Sequence, residues 1–288
     1  MLKDTRANKL FLLGLTILLA LGFAWVRGEI FLGNTYRAKE QIPFTQTDSL
    51  NISTTTNSIV LAVDPTLKGA TLEIGKLEEK QVRTAKNGST LSISVSPKKR
   101  MWPLNFFGSG SSTLYVTIPA DMLKTLTVTS VSGRITILNS ITAEEATIKS
   151  TSGKVSTLDV NANNTITLSS VSSHVDAATL RSNKEINVTS TSGKVEVQAI
   201  QGPTITAKSV SGRVSVGLDF STPTKATVSS TSGSVDVDLL NVKDVTVTSK
   251  TTSGSITIDG KAQNEVTIGK GTSTLELKTV SGSISVTL

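Results

Sequence analysis

The chain contains no cysteine. Disulfides, lipid attachment at an N-terminal thiol and thiolate metal sites are thereby excluded, and the composition is compatible with export. Aromatic residues make up 4%, and after Tyr115 only Phe220 remains. A core over that stretch has to be filled by Val, Ile and Leu, which suits thin repeated layers better than a globule built around large side chains. Histidine occurs once, as His174. No Cys/His cluster, phosphate loop or nucleophile elbow is present, so neither a metal nor a cofactor is expected. The positive charge, +7 overall, is local: residues 1–119 hold 14 Lys and Arg against 8 Asp and Glu, whereas 120–288 hold 15 against 14. No nucleic-acid-binding motif accompanies it, which leaves an anionic membrane surface as the expected neighbour of the N-terminal part.

Leu10 to Val26 is a run of 17 residues without a charge, preceded by Lys3, Arg6 and Lys9 and followed by Arg27 and Glu29. Its length lies at the lower edge for a transmembrane helix, and the positive flank predicts a cytoplasmic N-terminus with the rest of the chain outside. A cleaved signal peptide is the alternative, because Ala20-Leu21-Gly22 and Gly22-Phe23-Ala24 are small-x-small sites; secretion would then replace anchoring. The chain reads as a cytoplasmic tip and signal anchor (1–27), a juxtamembrane spacer (28–43), an irregular β region (44–119) with an insertion loop at 98–112, and a regular array (120–288).

What fills the array is a Ser-Gly signature at a period near 20 residues. Its cores are SVSGRI (130–135), STSGKV (150–155), SVSSHV (170–175), STSGKV (190–195), SVSGRV (209–214), STSGSV (230–235), TTSGSI (251–256) and TVSGSI (279–284). Glycine stands at 133, 153, 193, 212, 233, 254 and 282, with Ser173 in its place once. Apolar residues alternate with polar ones before the turn (Leu126 and Val128, Ile166 and Leu168) and after it (Ile135 and Ile137, Val195 and Val197). This predicts two short strands per unit whose apolar sides share one interior. The segment 50–63 repeats the pattern with Asn57 at the glycine position. Glycine, and Asn57 in its stead, is expected to supply a positive φ at the bend. The invariant serines are expected to satisfy backbone groups there, forming a hydroxyl ladder up one corner. Eight copies of a serine without a base do not make a nucleophile.

Units of this size predict an all-β fold: a right-handed β-helix, or β-solenoid, of about 20-residue coils, each pairing with the next at roughly 4.8 Å, preceded by an N-terminal transmembrane helix. A β-propeller is the alternative. Its blades need about 40–45 residues, or two units, and the residue two before the glycine does alternate as Val131, Thr151, Val171, Thr191, Val210, Thr231.

From Leu114 onward the sequence resembles the bacterial putative-adhesin family, defined by a domain of unknown function with β-strand repeats. The resemblance rests on LYVTIP (114–119), a strand ending in a proline turn, followed by TLTVTSVSGRITI (125–137) and its successors. It implies an extracytoplasmic β-helix, often membrane-anchored, and no catalysis. Where the family often has an acidic residue after the glycine, this chain has a basic residue or serine.

That column provides the first candidate site: Arg134, Lys154, His174, Lys194 and Arg213. Stacked in register they form a ladder suited to a polyanion, or they simply keep a turn soluble, with Asp176 and Glu196 to screen them. The second candidate is the insertion, where Lys98, Lys99 and Arg100 precede Met101, Trp102, Leu104, Phe106 and Phe107. Cations beside apolar residues suit a membrane or partner contact, or the loop caps the end of the solenoid. The expected function is therefore a non-enzymatic binding or adhesion module at the cell envelope. The expected partners are an anionic envelope polymer, an anionic lipid or another envelope protein, with self-association through the C-terminal coil. A regulatory protein sensing membrane damage and a glycan-active β-helix enzyme are the alternatives.

Overall fold

The computed structural model describes residues 36–43, 49–67, 69–75, 82–95, 112–119 and 123–288. The expected membrane segment and the apolar part of the insertion lie outside the described residues. Among the described residues no helix is long and apolar enough to cross a membrane. Residues Arg37–Leu288 form one compact unit.

All described elements are strands. They are β1 (Tyr36–Pro43), β2 (Ser49–Thr54), β3 (Ser58–Val63), β4 (Gly69–Gly75), β5 (Val82–Asn87), β6 (Thr90–Val95), β7 (Thr113–Ile118) and β8 (Leu123–Ser130). Two long strands follow, β9 (Ile135–Ser150) and β10 (Val155–Ser170), then β11 (Val175–Ser182), β12 (Glu185–Ser190), β13 (Val195–Gln201), β14 (Thr204–Ser209), β15 (Val214–Asp219), β16 (Lys225–Ser230) and β17 (Val235–Leu240). The last are β18 (Val245–Ser253), β19 (Ile256–Ile258), β20 (Glu265–Ile268), β21 (Ser273–Ser281) and β22 (Ile284–Thr287).

Successive coils pair in parallel, in register, on both sides of the Ser-Gly turn. Val155 lies beside Ile135 and Val175, and Leu168 beside Ile148 and Val188. Parallel coil-to-coil pairing makes the fold a solenoid and removes the propeller, which belongs to the antiparallel architectures. Each central coil also has a third short ladder between the two expected ones. Ser140–Ala143 pairs with Asp159–Ala162, which pairs with Thr179–Ser182. Register shifts between Thr157 and Asp159 and between Ala162 and Thr165 mark the bends that set it apart. It adds a further interior column, in which Val160, Leu180, Ile200 and Leu218 are fully buried.

Spatial order departs from chain order at both ends of the stack. The β2–β3 coil lies between the β6–β7 coil and the β8–β9 coil. The β21–β22 coil lies between β16–β17 and β18–β19, so both its backbone edges are occupied within the chain. The stack thus runs from β6–β7 at one tip to β18–β19 at the other. Antiparallel strands close the tips: β5 on β6 and β4 on β7 at one, β20 on β18 at the other. The β5–β6 hairpin turns at Gly88-Ser89, between the paired Asn87 and Thr90, with Gly88 at φ 57°, as expected for glycine at the first position of a two-residue loop.

The interior is a set of aliphatic columns. Leu126, Ala146, Ile166, Ile186, Ile205 and Ala226 stack with at most 1% exposure, and the column continues through Leu275 to Val247. The swapped order explains a polar break in the neighbouring column. Read along the chain, Ser249 interrupts Val228 and Leu277; in space Leu277 follows Val228 and Ser249 ends the column at the tip.

Candidate functional site

One edge of the solenoid consists of the Ser-Gly turns, and Arg134, Lys154, His174, Lys194 and Arg213 lie on it. The turn is closed by the serine three residues before the glycine, which is buried throughout the central coils. Its Oγ accepts the N–H of the glycine position: Gly133 to Ser130 at 2.8 Å, Gly153 to Ser150 at 2.9 Å, Gly193 to Ser190 at 2.9 Å, Gly212 to Ser209 at 2.9 Å. The same hydroxyl donates to the carbonyl of the glycine position one coil away. Ser170 bonds Gly153 O at 3.1 Å, Ser190 bonds Ser173 O at 2.9 Å, and Ser230 bonds Gly212 O at 2.9 Å. Each hydroxyl is thus donor and acceptor at once, stapling its own turn and the next. This is the expected hydroxyl ladder, formed by one of the two serine columns. The serine directly before the glycine is exposed in all eight units.

The glycines are required for a reason other than the expected one. Of the repeat glycines only Gly254, at the tip, has a positive φ (149°), and Asn57 does not have one either. What the glycines spare is a Cβ, which in the central turns only Ser173 carries, its N–H still bonding Ser170 Oγ at 3.1 Å. A Cβ built on Gly153 would lie 2.0 Å from Gly133 O, on Gly212 2.1 Å from Gly193 O, and on Gly233 2.2 Å from Gly212 O. The turns are stacked so closely that each backbone occupies its neighbour's side-chain space. Asn57 lies in the β2–β3 coil, beside the β6–β7 coil. There its side-chain amide donates to Ser112 O at 3.4 Å and to the Ser112 hydroxyl.

Three exposed columns flank the buried glycines. The column after the glycine brings together Arg134, Lys154, His174, Lys194 and Arg213 on five successive coils. Backbone bonds from Ile135, Val155, Val175 and Val195 to the next member's carbonyl (2.9–3.0 Å) hold it in register. Lys154 pairs with Asp176, and Arg213 Nε lies 3.4 Å from Asp236 Oδ2. That carboxyl is raised above its ordinary value by burial, which the Arg213 charge opposes and the Asp238 charge reinforces. His174 Nδ1 accepts the Lys194 N–H at 2.9 Å. Arg134 and Lys194 pair with no acid among the described residues. Beyond Arg213 the column becomes Ser234, Ser283 and Ser255 in spatial order.

Lys98, Lys99, Arg100, Met101, Trp102, Leu104, Phe106 and Phe107 lie outside the described residues. The flanking strands are described: β6 ends at Val95 beside Thr54, and β7 begins at Thr113 beside Ser58.

A groove at the bend of the third ladder escaped sequence reading. It encloses about 580 Å³ and is lined by Thr142, Asn161, Asn163, Arg181, Asn183 and Gln201, among others. Arg181 is 3.3 Å from Asp159, Asn161 donates to Ser140 Oγ at 3.2 Å, and Gln201 donates to Ser221 at 2.8 Å. The recurrence of amides at the middle of successive units was its only trace in the sequence. Among the described residues no group of three His, Asp or Glu side chains is placed to hold a metal.

Among solved structures, the chain is similar to a putative adhesin from Bacteroides fragilis NCTC 9343 (14% identity, 88% of this chain and 98% of that one, TM-score 0.47). It is also similar to a putative adhesin from Parabacteroides merdae ATCC 43184 (11%, 89% and 98%, TM-score 0.43). No curated protein matches it. The Toastrack DUF4097 family model matches residues 47–287, the whole of the stack and its turn edge, and the chain belongs to that family.

Proposed function

We propose that this chain is a membrane-anchored, extracytoplasmic binding module without catalysis, and that its turn edge engages an anionic polymer of the cell envelope. The observation that carries the reading is the in-register column Arg134, Lys154, His174, Lys194 and Arg213. Cations repeated at roughly 4.8 Å along a rigid axis add their fields over a linear polyanion, whereas a scattered surface charge would not. Asp176 and Asp236 reduce that field without cancelling it, because Arg134 and Lys194 pair with no acid among the described residues. The apolar run 10–26 with its positive N-terminal flank supports the anchor. Against catalysis stands the use of the buried serine hydroxyls, each committed to two backbone bonds.

The test is charge reversal at Arg134, Lys154, Lys194 and Arg213 together in the full-length chain, with polyphosphate as the probe. Binding is expected to fall steeply and to lose its salt dependence. Unchanged binding by the reversed chain refutes the ladder.

A further inference from the structure

Beside the cations runs a second exposed column, two residues before each glycine position. In spatial order it reads Thr55, Val131, Thr151, Val171, Thr191, Val210, Thr231, Val280, Thr252. Threonine and valine alternate without exception over nine coils. The valines are half exposed, at 47–49%, and the threonines are exposed as well. The two side chains have the same shape and differ by a hydroxyl for a methyl.

Nothing inside the protein has this two-coil period. The staple hydroxyl, from Ser or Thr, recurs on every one of these coils, and the exceptions to glycine, Asn57 and Ser173, do not follow a two-coil period. The core column Leu126, Ala146, Ile166, Ile186, Ile205, Ala226 does not alternate. Interrupting an apolar ridge to prevent association needs a polar residue, but not valine on every second coil. Descent from a duplicated pair of units is excluded by the order. Along the chain the series ends Thr231, Thr252, Val280 and loses its phase, and only the swapped stacking of β21 between β16 and β18 restores it. The alternation therefore belongs to the surface and not to the order of the repeats. The cation column shares the period over its five members. Arg134, His174 and Arg213 accompany valines, whereas Lys154 and Lys194 accompany threonines.

We infer that the turn edge is a template for a stiff, ribbon-like acidic polysaccharide lying along the solenoid axis, one sugar per coil, with successive sugars turned over. The inference rests on the ladder reading above and adds the ligand's class. A diequatorially linked polyuronate has this form. Alternate rings present a different face to the protein, so the geometric repeat is two sugars, about two coils or roughly 9.6 Å long. Valine meets the C–H face of one ring, threonine hydrogen-bonds the hydroxyls of the next, and the cations take the carboxylates. The exposed residue before each glycine position, serine on eight coils and Thr56 on the ninth, offers the hydroxyl contact common to all sugars. A flexible polyanion would not keep phase with nine coils and would not need the alternation.

The test uses the full-length chain and three probes: oligomannuronate (diequatorial, ribbon-like), oligoguluronate of equal length and charge (diaxial, buckled), and polyphosphate. The variant is the paired exchange Thr151→Val with Val171→Thr, which preserves composition, charge and volume at exposed sites; an unchanged thermal melt verifies the fold. The natural chain is expected to prefer oligomannuronate over oligoguluronate about ten-fold, the scale of single methyl and hydroxyl contacts. The exchange should erase that preference and leave polyphosphate binding intact. Equal binding of the two uronates by the natural chain, or a preference that survives the exchange, overturns the inference while the ladder stands. Failure of all three probes overturns both.

Discussion

The middle of the stack and its two tips are built differently from the same repeat. From β8 to β17, chain order and spatial order coincide, every turn is stapled, and the interior columns are aliphatic with few exceptions. At the tips the order is swapped, the ladders turn antiparallel, and polar or strained features collect. Ser249 has a buried hydroxyl without a partner, β19 is three residues long, and Asn241 and Asp259 hold positive φ angles of 54° and 50°. The difference follows from the edge problem. A parallel stack grows by exposing unpaired backbone, and an in-register edge recruits other edges. Threading a later coil inward and laying antiparallel strands across parts of the outermost ones shortens the parallel edge left to extend.

The largest break in this comparison is expected from deleting residues 273–288. The deletion removes the β21–β22 coil from between two neighbours and strips two parallel ladders at once. Amide exchange should become fast throughout β18–β20 and at β16–β17, and sedimentation should reveal association through the bared β16–β17 edge. Gly153→Ala comes next. Its Cβ would sit 2.0 Å from the Gly133 carbonyl, so a loss of about 3 kcal/mol or more is expected by denaturant titration, the range of backbone clashes in a packed site. In the tip hairpin, Gly88 has open space around it and a φ of 57°, and Gly88→Ala should cost only about 1 kcal/mol through the strained angle. Ser170→Ala leaves the Ser173 amide and the Gly153 carbonyl without their hydroxyl, a loss of about 1–3 kcal/mol. Ser172→Ala, two residues on and exposed, should change stability by less than about 0.5 kcal/mol.

The smallest effect separates the two regions by pH. Asp236, in the β17 coil, has its carboxyl raised by burial. Its folded form takes up a proton more readily than the unfolded chain, so it imposes a penalty at neutral pH that is relieved as pH falls through the raised value. Asp244, at the tip, is lowered by the Thr272 hydroxyl and by the amides of Thr272, Gly271 and Lys270. Its contribution is present above the ordinary carboxylate value and lost as pH falls through the lowered one. Acidification should therefore fray the β18–β20 tip before β17, as read by amide exchange at the two places. Asp244→Asn should remove the pH dependence at the tip alone.

The central array was legible in the sequence because each column has one job and one residue type. The swap was not, because the 245–258 and 273–287 units each look like a legitimate next coil. Two signals pointed to it, the misplaced Ser249 and the phase slip at Thr252, and both make sense only in space. The glycines were recognised as obligatory but for the wrong cause. A positive φ and a forbidden Cβ select the same residue, and stacking distance alone tells them apart. The third ladder was missed because its column, Ile141, Val160, Leu180, Ile200, Leu218, is reached through register shifts that vary the spacing from unit to unit. The insertion was recognisable as a break in the pattern, between the strands that end at Val95 and begin at Thr113.

The threaded coil also bears on synthesis. As the chain emerges, the solenoid can zip coil by coil only as far as Leu240. The surface that β16–β17 offers next is complementary to residues 273–287, which leave the ribosome after the 245–258 unit has already appeared. For the seconds that interval lasts, at roughly 5–20 residues per second, the nascent protein holds a bare ladder and a competing unit of nearly the same sequence. Here the final pairing depends on the order of arrival being overridden, which makes this junction the step where helper proteins or slow translation would act on the yield of correctly stacked molecules.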